Sequence, residues 1–219
     1  MSGGRGKKNP YAKPDAYAQR AKAEGYPARS VYKLEEIDRR TRLLRRGMKV
    51  LDLGCAPGSW LLYTAKKIAP NGRVRGIDLT ALTIGLPDNA QAMVGDAFAA
   101  LSAEGTGEGA GKGEVEAFVR ELAPYDVVLS DMAPATTGNR FSDQQRSADL
   151  VERTLDLAEE LLVTGGSWVA KIFMSEELPR LRARVRTLFE SERVIRPEGT
   201  RSISYEVFLI GEKRKKRLS

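Results

Sequence analysis

The chain contains no histidine. That excludes imidazole acid–base catalysis, Ser-His-Asp triads and H-E-x-x-H zinc sites. It contains one cysteine, Cys55, so neither a disulfide framework nor a cysteine-based zinc site can form, and the usage fits a reducing cytosol. Cys55 is either a nucleophile or a small buried side chain in a tight loop, and its glycine-flanked setting favours the second. No apolar run approaches the roughly 20 residues that span a bilayer, and the polar, basic N-terminus has no apolar leader core. A soluble, cytoplasmic, monomeric protein with no metal site is expected.

The 219 residues are 42% hydrophobic, which suits one large α/β domain with a sizeable core. The net charge of +7 is unevenly spread: residues 1–46 carry 13 Lys and Arg against 5 Asp and Glu, and residues 212–217 add +4. The body between them is therefore mildly acidic, at −5. Basic extensions on an acidic body suit a polyanion such as RNA or DNA; the bland reading is that they aid solubility. The expected organisation is a flexible basic arm over 1–14, a single domain over 15–211 and a basic tail over 212–219.

The organising stretch runs from Met48 to Trp60. Val50, Leu51 and Leu53 are β-prone, Gly54, Pro57 and Gly58 break the strand, and an apolar helical run follows from Trp60 to Ile68. Strand, glycine turn and helix open a nucleotide-type α/β fold. Gly54 and Gly58 permit close approach of a ligand. Asp52, just before the turn, suits a ligand with hydroxyls or a cationic amino group better than a bare pyrophosphate. The loop is not G-x-G-x-x-G, so a dinucleotide site is the weaker match.

Further elements follow in order. Helices are expected over Asp15–Gly25, with Asp15 as cap, and after Ser30, the expected N-cap of a helix whose core face holds Val31, Leu34 and Ile37. Lys33 falls in that helix's first turn, where a cation needs an anionic neighbour or a task unless it lies on a solvated face. Strands are expected over Gly72–Leu79, ending at Asp78, and over Gln91–Asp96. Asp78, about 20 residues past the loop, is placed for ribose hydroxyls, and Asp96 for the exocyclic amine of adenine. The Gly-rich segment 102–116 lacks the P-loop pattern, since Thr106 and Gly113 stand at its key places. It reads as a surface insertion, with a helix near 114–122. A fourth strand from Tyr125 ends at Asp131. A helix over about 143–163, stopped by Gly165 and Gly166, leads to a strand over Ser167–Phe173. A helix over 176–190 and strands over Arg193–Arg196 and Ser202–Ile210 complete the chain. Lys171 and Glu206 are charges embedded in apolar strands, costly unless paired or functional. Together with Lys33 and Asp131 they make either a reactive cluster or a structural ion-pair network.

These pieces resemble the FtsJ/RrmJ family of S-adenosylmethionine-dependent RNA ribose 2′-O-methyltransferases. The resemblance rests on Arg29–Leu34, Val50–Trp60, Gly76–Leu79, Gly95–Phe98, Ser130–Pro134, Gly165–Phe173 and Ser204–Val207, in the family's order. It implies a Rossmann-like α/β fold: a seven-stranded, mostly parallel sheet with one antiparallel strand and helices on both faces. It implies a catalytic tetrad on Lys33, Asp131, Lys171 and Glu206, and cofactor contacts at Gly58, Trp60, Asp78, Asp96 and Asp131, beside Asp52 and Gly54. Ser59 departs from a glycine common in the family's loop, the insertion is longer than usual, and Tyr205 stands where bacterial members often carry arginine.

The implied reaction is in-line attack of a ribose 2′-hydroxyl on the sulfonium methyl, with Lys171 as base, neutral beforehand, or as a group that only steers the hydroxyl. Asp131 would orient Lys171, while Lys33 and Glu206 would position the ribose. The implied substrate is a uridine of large-subunit (23S) ribosomal RNA in the ribosomal subunit. Transfer RNA, a non-catalytic ribosome-assembly role and, more distantly, a nicotinamide dehydrogenase are the alternatives. Base N-methylation fits less well, because Asp131–Pro134 is not an Asn/Asp-Pro-Pro-aromatic motif. Carbon-5 methylation would need Cys55, in the loop, as nucleophile.

Overall fold

The structure is a computed structural model that describes residues 16–98, 112–198, 200 and 204–216. The expected arm over 1–14, the cap at Asp15, most of the Gly-rich insertion, Ser202 and Ile203 of the expected last strand, and residues 217–219 lie outside the described residues.

Seven strands form one sheet: β1 (Lys49–Leu53), β2 (Arg73–Asp78), β3 (Ala90–Val94), β4 (Tyr125–Ser130), β5 (Leu162–Phe173), β6 (Phe189–Ile195) and β7 (Glu206–Arg214), in the order β3-β2-β1-β4-β5-β7-β6. Strands β3, β2, β1, β4 and β5 pair in parallel, and β7 runs antiparallel to both β5 and β6. Six helices are described: α1 (Ala16–Ala23), α2 (Val31–Thr41), α3 (Ser59–Ile68), α4 (Lys112–Leu122), α5 (Arg140–Leu161) and α6 (Leu178–Leu188). This is the Rossmann-like sheet with one antiparallel strand that the sequence leads one to expect. None of the described helices is long and apolar enough to cross a membrane.

Strand alternation divides the core in two. Leu51, Leu53, Val128, Ala170, Ile172, Val207 and Leu209 pack with residues of α4, α5 and α6 on one face. Val50, Val127, Leu129, Val169, Phe208 and Ile210 pack with α2 and α3 on the other. Continuing that second alternation by two residues along each strand reaches Asp52, Asp131, Lys171 and Glu206. The period of two thus brings four ionisable residues from four strands to one face, at one end of the sheet.

Several expected boundaries are corrected. Helix α5 ends at Leu161, not at the glycines; Gly165 and Gly166 lie inside β5, where the register with β4 slips from Tyr125↔Leu162 to Val127↔Ser167. Gly165 has φ +83°, so a glycine suits this bulge. Ser30 does not cap α2 with its side chain: it is already helical, at φ −57° and ψ −21°, and its carbonyl accepts from the Lys33 amide at 3.0 Å. Strand β6 starts at Phe189 rather than Arg193. Strand β7 extends through residues 212–214, expected in the tail, because Arg214 pairs opposite Phe189. Arg214 is buried, and its guanidinium donates to the Leu162 carbonyl at 3.1 Å and the Glu159 carbonyl at 2.5 Å, satisfying acceptors at the end of α5.

Gly211 of β7 sits under the Phe189 ring, and a Cβ there would lie 2.5 Å from Cδ2 and 2.6 Å from Cγ. We expect Gly211→Ala to lower unfolding stability by about 1–3 kcal/mol through overpacking. A urea-denaturation midpoint equal to wild type would contradict this packing.

Candidate active site

The glycine loop is tied to the end of β2. The amides of Gly54 and Cys55 donate to the Ile77 carbonyl at 2.8 and 3.2 Å, and the Ala56 amide donates to Asp78 Oδ2 at 3.0 Å. Gly54 (φ +76°) lies against Met132, past β4, where a Cβ would come within 2.4 Å of Met132 Cγ. Gly58 (φ +109°) precedes α3 and lies under Ile84, 2.3 Å from where its Cβ would be. Lacking a side chain, Gly58 leaves the first-turn N–H groups of α3 without a side-chain cap. Cys55 is buried, and burial pushes its thiol well up, with Asp52 and Asp78 adding to the effect. It is a packing residue, as its loop setting suggests.

Two residues of the loop do something the sequence did not reveal. Ser59, the departure from glycine, is buried; its Oγ accepts from the Ala28 amide at 2.8 Å and donates to the Ala28 carbonyl at 3.0 Å. The indole of Trp60, a residue expected among the cofactor contacts, turns into the core, which leaves the residue's backbone for any such contact. It donates to the Ser30 carbonyl at 2.9 Å and packs on Phe208 with ring centroids 5.6 Å apart. An aromatic with one polar atom is accommodated best where its body is buried and its N–H meets an acceptor. Ser59 and Trp60 therefore clamp the start of α2, and with it Lys33, to the glycine loop. The tryptophan's position in the motif carried no signal for this role.

Asp52 is fully buried, and neither carboxylate oxygen has a hydrogen-bond partner among the described residues. Burial pushes its carboxyl well above the usual range, and the nearby charges of Asp131 and Asp78 push it further. A buried carboxyl with two bare oxygens is an unmet polar demand at the glycine loop, which suits a ligand bearing N–H or O–H donors. Asp78 accepts from Thr80 N at 2.8 Å as well as from Ala56 N, and exposed Asp96 accepts from Phe98 N at 2.9 Å. Each is thus partly a turn cap and retains acceptor capacity. Exposed Leu79 and Val94 flank the two acids, and apolar residues just at the strand ends are the sequence signal for an apolar surface there.

The four expected tetrad residues form two ion pairs. Lys171 Nζ donates to the Asp131 carbonyl and lies 2.9 Å from Asp131 Oδ1, an ionic contact whose angles do not make a hydrogen bond. Lys33 Nζ donates to Glu206 Oε1. The four side chains are only 10–18% exposed. Lys171 stands opposite Phe208, and Glu206 opposite Phe173, so Lys171 and Glu206 are diagonal neighbours on one sheet face. Lys33 thereby finds the anionic neighbour that its place in a helix's first turn required. The pairs can hold a hydroxyl between them and accept its proton, in a setting where charges are weakly screened.

Because the folded state holds Asp52 protonated to a higher pH than the unfolded chain does, this group's effect on stability worsens as pH rises above the unfolded carboxyl value. We expect Asp52→Asn to raise the Tm of the ligand-free protein, with the gain growing as pH rises above the ordinary carboxylate range. A Tm lowered equally at all pH values would show that the carboxylate is instead satisfied and charged.

The profile of the FtsJ-like methyltransferase family matches residues 26–214. The chain is 51% identical over 208 residues to the ribosomal RNA large subunit methyltransferase E of Sorangium cellulosum, covering 95% of this chain and 92% of that protein. It is 46% identical over 197 residues to the protein of the same name from Oleidesulfovibrio alaskensis, covering 90% of each. Among solved structures, a ribosomal RNA methyltransferase from Plasmodium falciparum superposes with a TM-score of 0.71 at 22% identity, over 88% of this chain and all of that one. Aeropyrum pernix fibrillarin, solved with natively bound S-adenosyl-L-methionine, superposes with a TM-score of 0.51 at 16% identity, over 77% of this chain and 68% of that one. These two structures share the fold; the sequence matches carry the relationship, and the chain belongs to the FtsJ-like methyltransferase family.

Proposed function

We propose that this methyltransferase uses S-adenosylmethionine to methylate a ribose 2′-hydroxyl of RNA, with a uridine of large-subunit (23S) ribosomal RNA as its substrate. The observation that carries the reading is the Lys171–Asp131 pair, set beside a glycine loop whose buried acid has no partner. Asp52, whose two carboxyl oxygens have no hydrogen-bond partner among the described residues, suits the cofactor's ammonium group. Asp78 suits ribose hydroxyls, and Asp96 an adenine amine, with Leu79 and Val94 against the ring. Trp60 contributes through its backbone and by clamping α2, not by its indole. When bound, the cofactor supplies an electrophilic sulfonium methyl.

The remaining work belongs to this chain. The leaving group is a neutral thioether, so the demands are alignment of the hydroxyl and removal of one proton. Lys171 Nζ directs the 2′-hydroxyl for in-line attack and is the group that takes up its proton. Asp131, through its carbonyl and carboxylate, fixes the direction of that amine. Lys33 and Glu206 hold each other and present a donor and an acceptor to the ribose. The homologues' names support ribosomal RNA as the substrate, and the basic ends of the chain suit a phosphate backbone.

The test is methyl transfer to purified large subunits, free ribosomal RNA and transfer RNA, with the modified nucleoside identified by mass spectrometry. A 2′-O-methyluridine in ribosomal RNA is expected, and Lys171→Ala should cut its rate by about 10²–10⁴-fold with S-adenosylmethionine binding retained. Asp52→Asn should weaken cofactor binding in calorimetry. A base-methylated product would sink the tetrad reading, and product confined to transfer RNA would overturn the substrate.

A further inference from the structure

The four most exposed large hydrophobic side chains among the described residues are Leu79, Phe141, Val94 and Met174, and all lie near the carboxyl ends of the parallel strands. Leu79 and Val94 flank the acids Asp78 and Asp96. Phe141 and Met174, 70% and 45% exposed, line a different cleft of about 530 Å³ between the start of α5 and the turn after β5. Nothing in the methyl-transfer reading uses this cleft.

Its walls are built and held. The Met174 amide donates to the Tyr205 carbonyl at 2.9 Å, and the Gln144 side chain donates to the Met174 carbonyl, which fastens the turn to both β7 and α5. The Ser175 hydroxyl is buried without a hydrogen-bond partner. Arg140 has no acidic partner among the described residues; its guanidinium lies over the Tyr205 ring, 5.1 Å from the centroid. That ring meets Phe173 edge-on at 4.9 Å, and Tyr205 directly precedes Glu206. Tyr205 thus links the Arg140 wall of the cleft to the strand that carries Glu206. Met174 lies three residues beyond Lys171, about 10 Å along an extended strand.

Two exposed apolar side chains and a guanidinium with no acidic partner among the described residues are parts that suit a flat heteroaromatic ring on an anionic chain. Glu176 and Glu177 also line the cleft, and Glu177 is tied to Arg180 at 2.8 Å. Carboxylates disfavour a phosphate inside the cleft but accept from the N–H groups of a base edge. We propose that this cleft takes an unstacked nucleobase of the RNA strand, next to the nucleotide whose ribose is methylated. Phe141 and Met174 lie against the base face, the Glu176 carboxylate meets its edge, and Arg140, steadied on Tyr205, faces the adjoining phosphate. Tyr205 thereby acquires a role as the support of Arg140. The proposal rests on the reading of the tetrad as an RNA methylation site.

The test combines crosslinking with kinetics on the full-length protein. Substrate RNA carrying 4-thiouridine at each position flanking the methylated nucleotide is irradiated with the protein, and crosslinked peptides are mapped by mass spectrometry. A crosslink in the Phe141 or Met174 peptide is expected. Phe141→Ala and Met174→Ala, both at exposed positions and so expected to fold, should raise KM for RNA by about tenfold or more. The effect on kcat at saturating RNA should be much smaller, and S-adenosylmethionine affinity should not change. Wild-type methylation with no crosslink in these peptides and an unchanged KM would overturn the base cleft and leave the reaction standing. A crosslink in these peptides without methylation of any RNA by the wild type would sustain the cleft and sink the reaction.

Discussion

A lysine inside a hydrophobic strand is the constraint around which the rest is arranged. Lys171 sits in β5, between Ala170 and Ile172, on the face that also holds Val169 and Phe208. An ammonium there is costly unless an anion meets it. The parallel register of β4 and β5 ends at Ser130↔Ala170, so the next residue on each strand is Asp131 beside Lys171. The same face receives Glu206 from β7, because the antiparallel register sets it opposite Phe173. Its partner Lys33 comes from a helix lying over that face. Charges that would each destabilise a sheet alone are compatible because four separate segments deliver them as two pairs.

The second arrangement concerns the glycine loop. Asp52 is buried beside Asp78 and Asp131, all three acids, and its oxygens have no hydrogen-bond partner among the described residues. Such a group costs stability, and its place at a turn built from positive-φ glycines is what the proposed ligand role accounts for. The loop also governs distance to the reacting groups. Ser59 and Trp60 bind the segment around Ala28 and Ser30, so the start of α2 moves with the start of α3. The glycine loop and Lys33 are thus held in one unit, the kind of preorganisation that the proposed displacement needs. At the far end of β7 from Glu206, Arg214 clamps that strand onto the end of α5.

Much of this was legible because each signal was local. Alternation and glycine breaks marked β1, β2 and β4 to within a residue or two, and the apolar run after Gly58 marked α3. What misled was equally local. Gly165 and Gly166 look like a helix stop, yet they serve a bulge, because β5 begins before them in register with Tyr125. Ser30 has the composition of a cap but already holds helical dihedrals. The direction of the Trp60 indole, into the core and onto one buried carbonyl, had no local signal at all.

The amino-acid sequence alone determined the strand–turn–helix unit, the order of the elements and the identity of the ionisable residues that cannot be ordinary core. It did so because periodicity, glycine geometry and the cost of buried charge act over a few residues. Which charge meets which, whether an indole faces a ligand or the core, and that Asp52 has no partner were decided only by tertiary structure. Those outcomes depend on register between strands and on helices packed across the sheet: Lys33 and Glu206 are 173 residues apart in the chain and in contact in the fold.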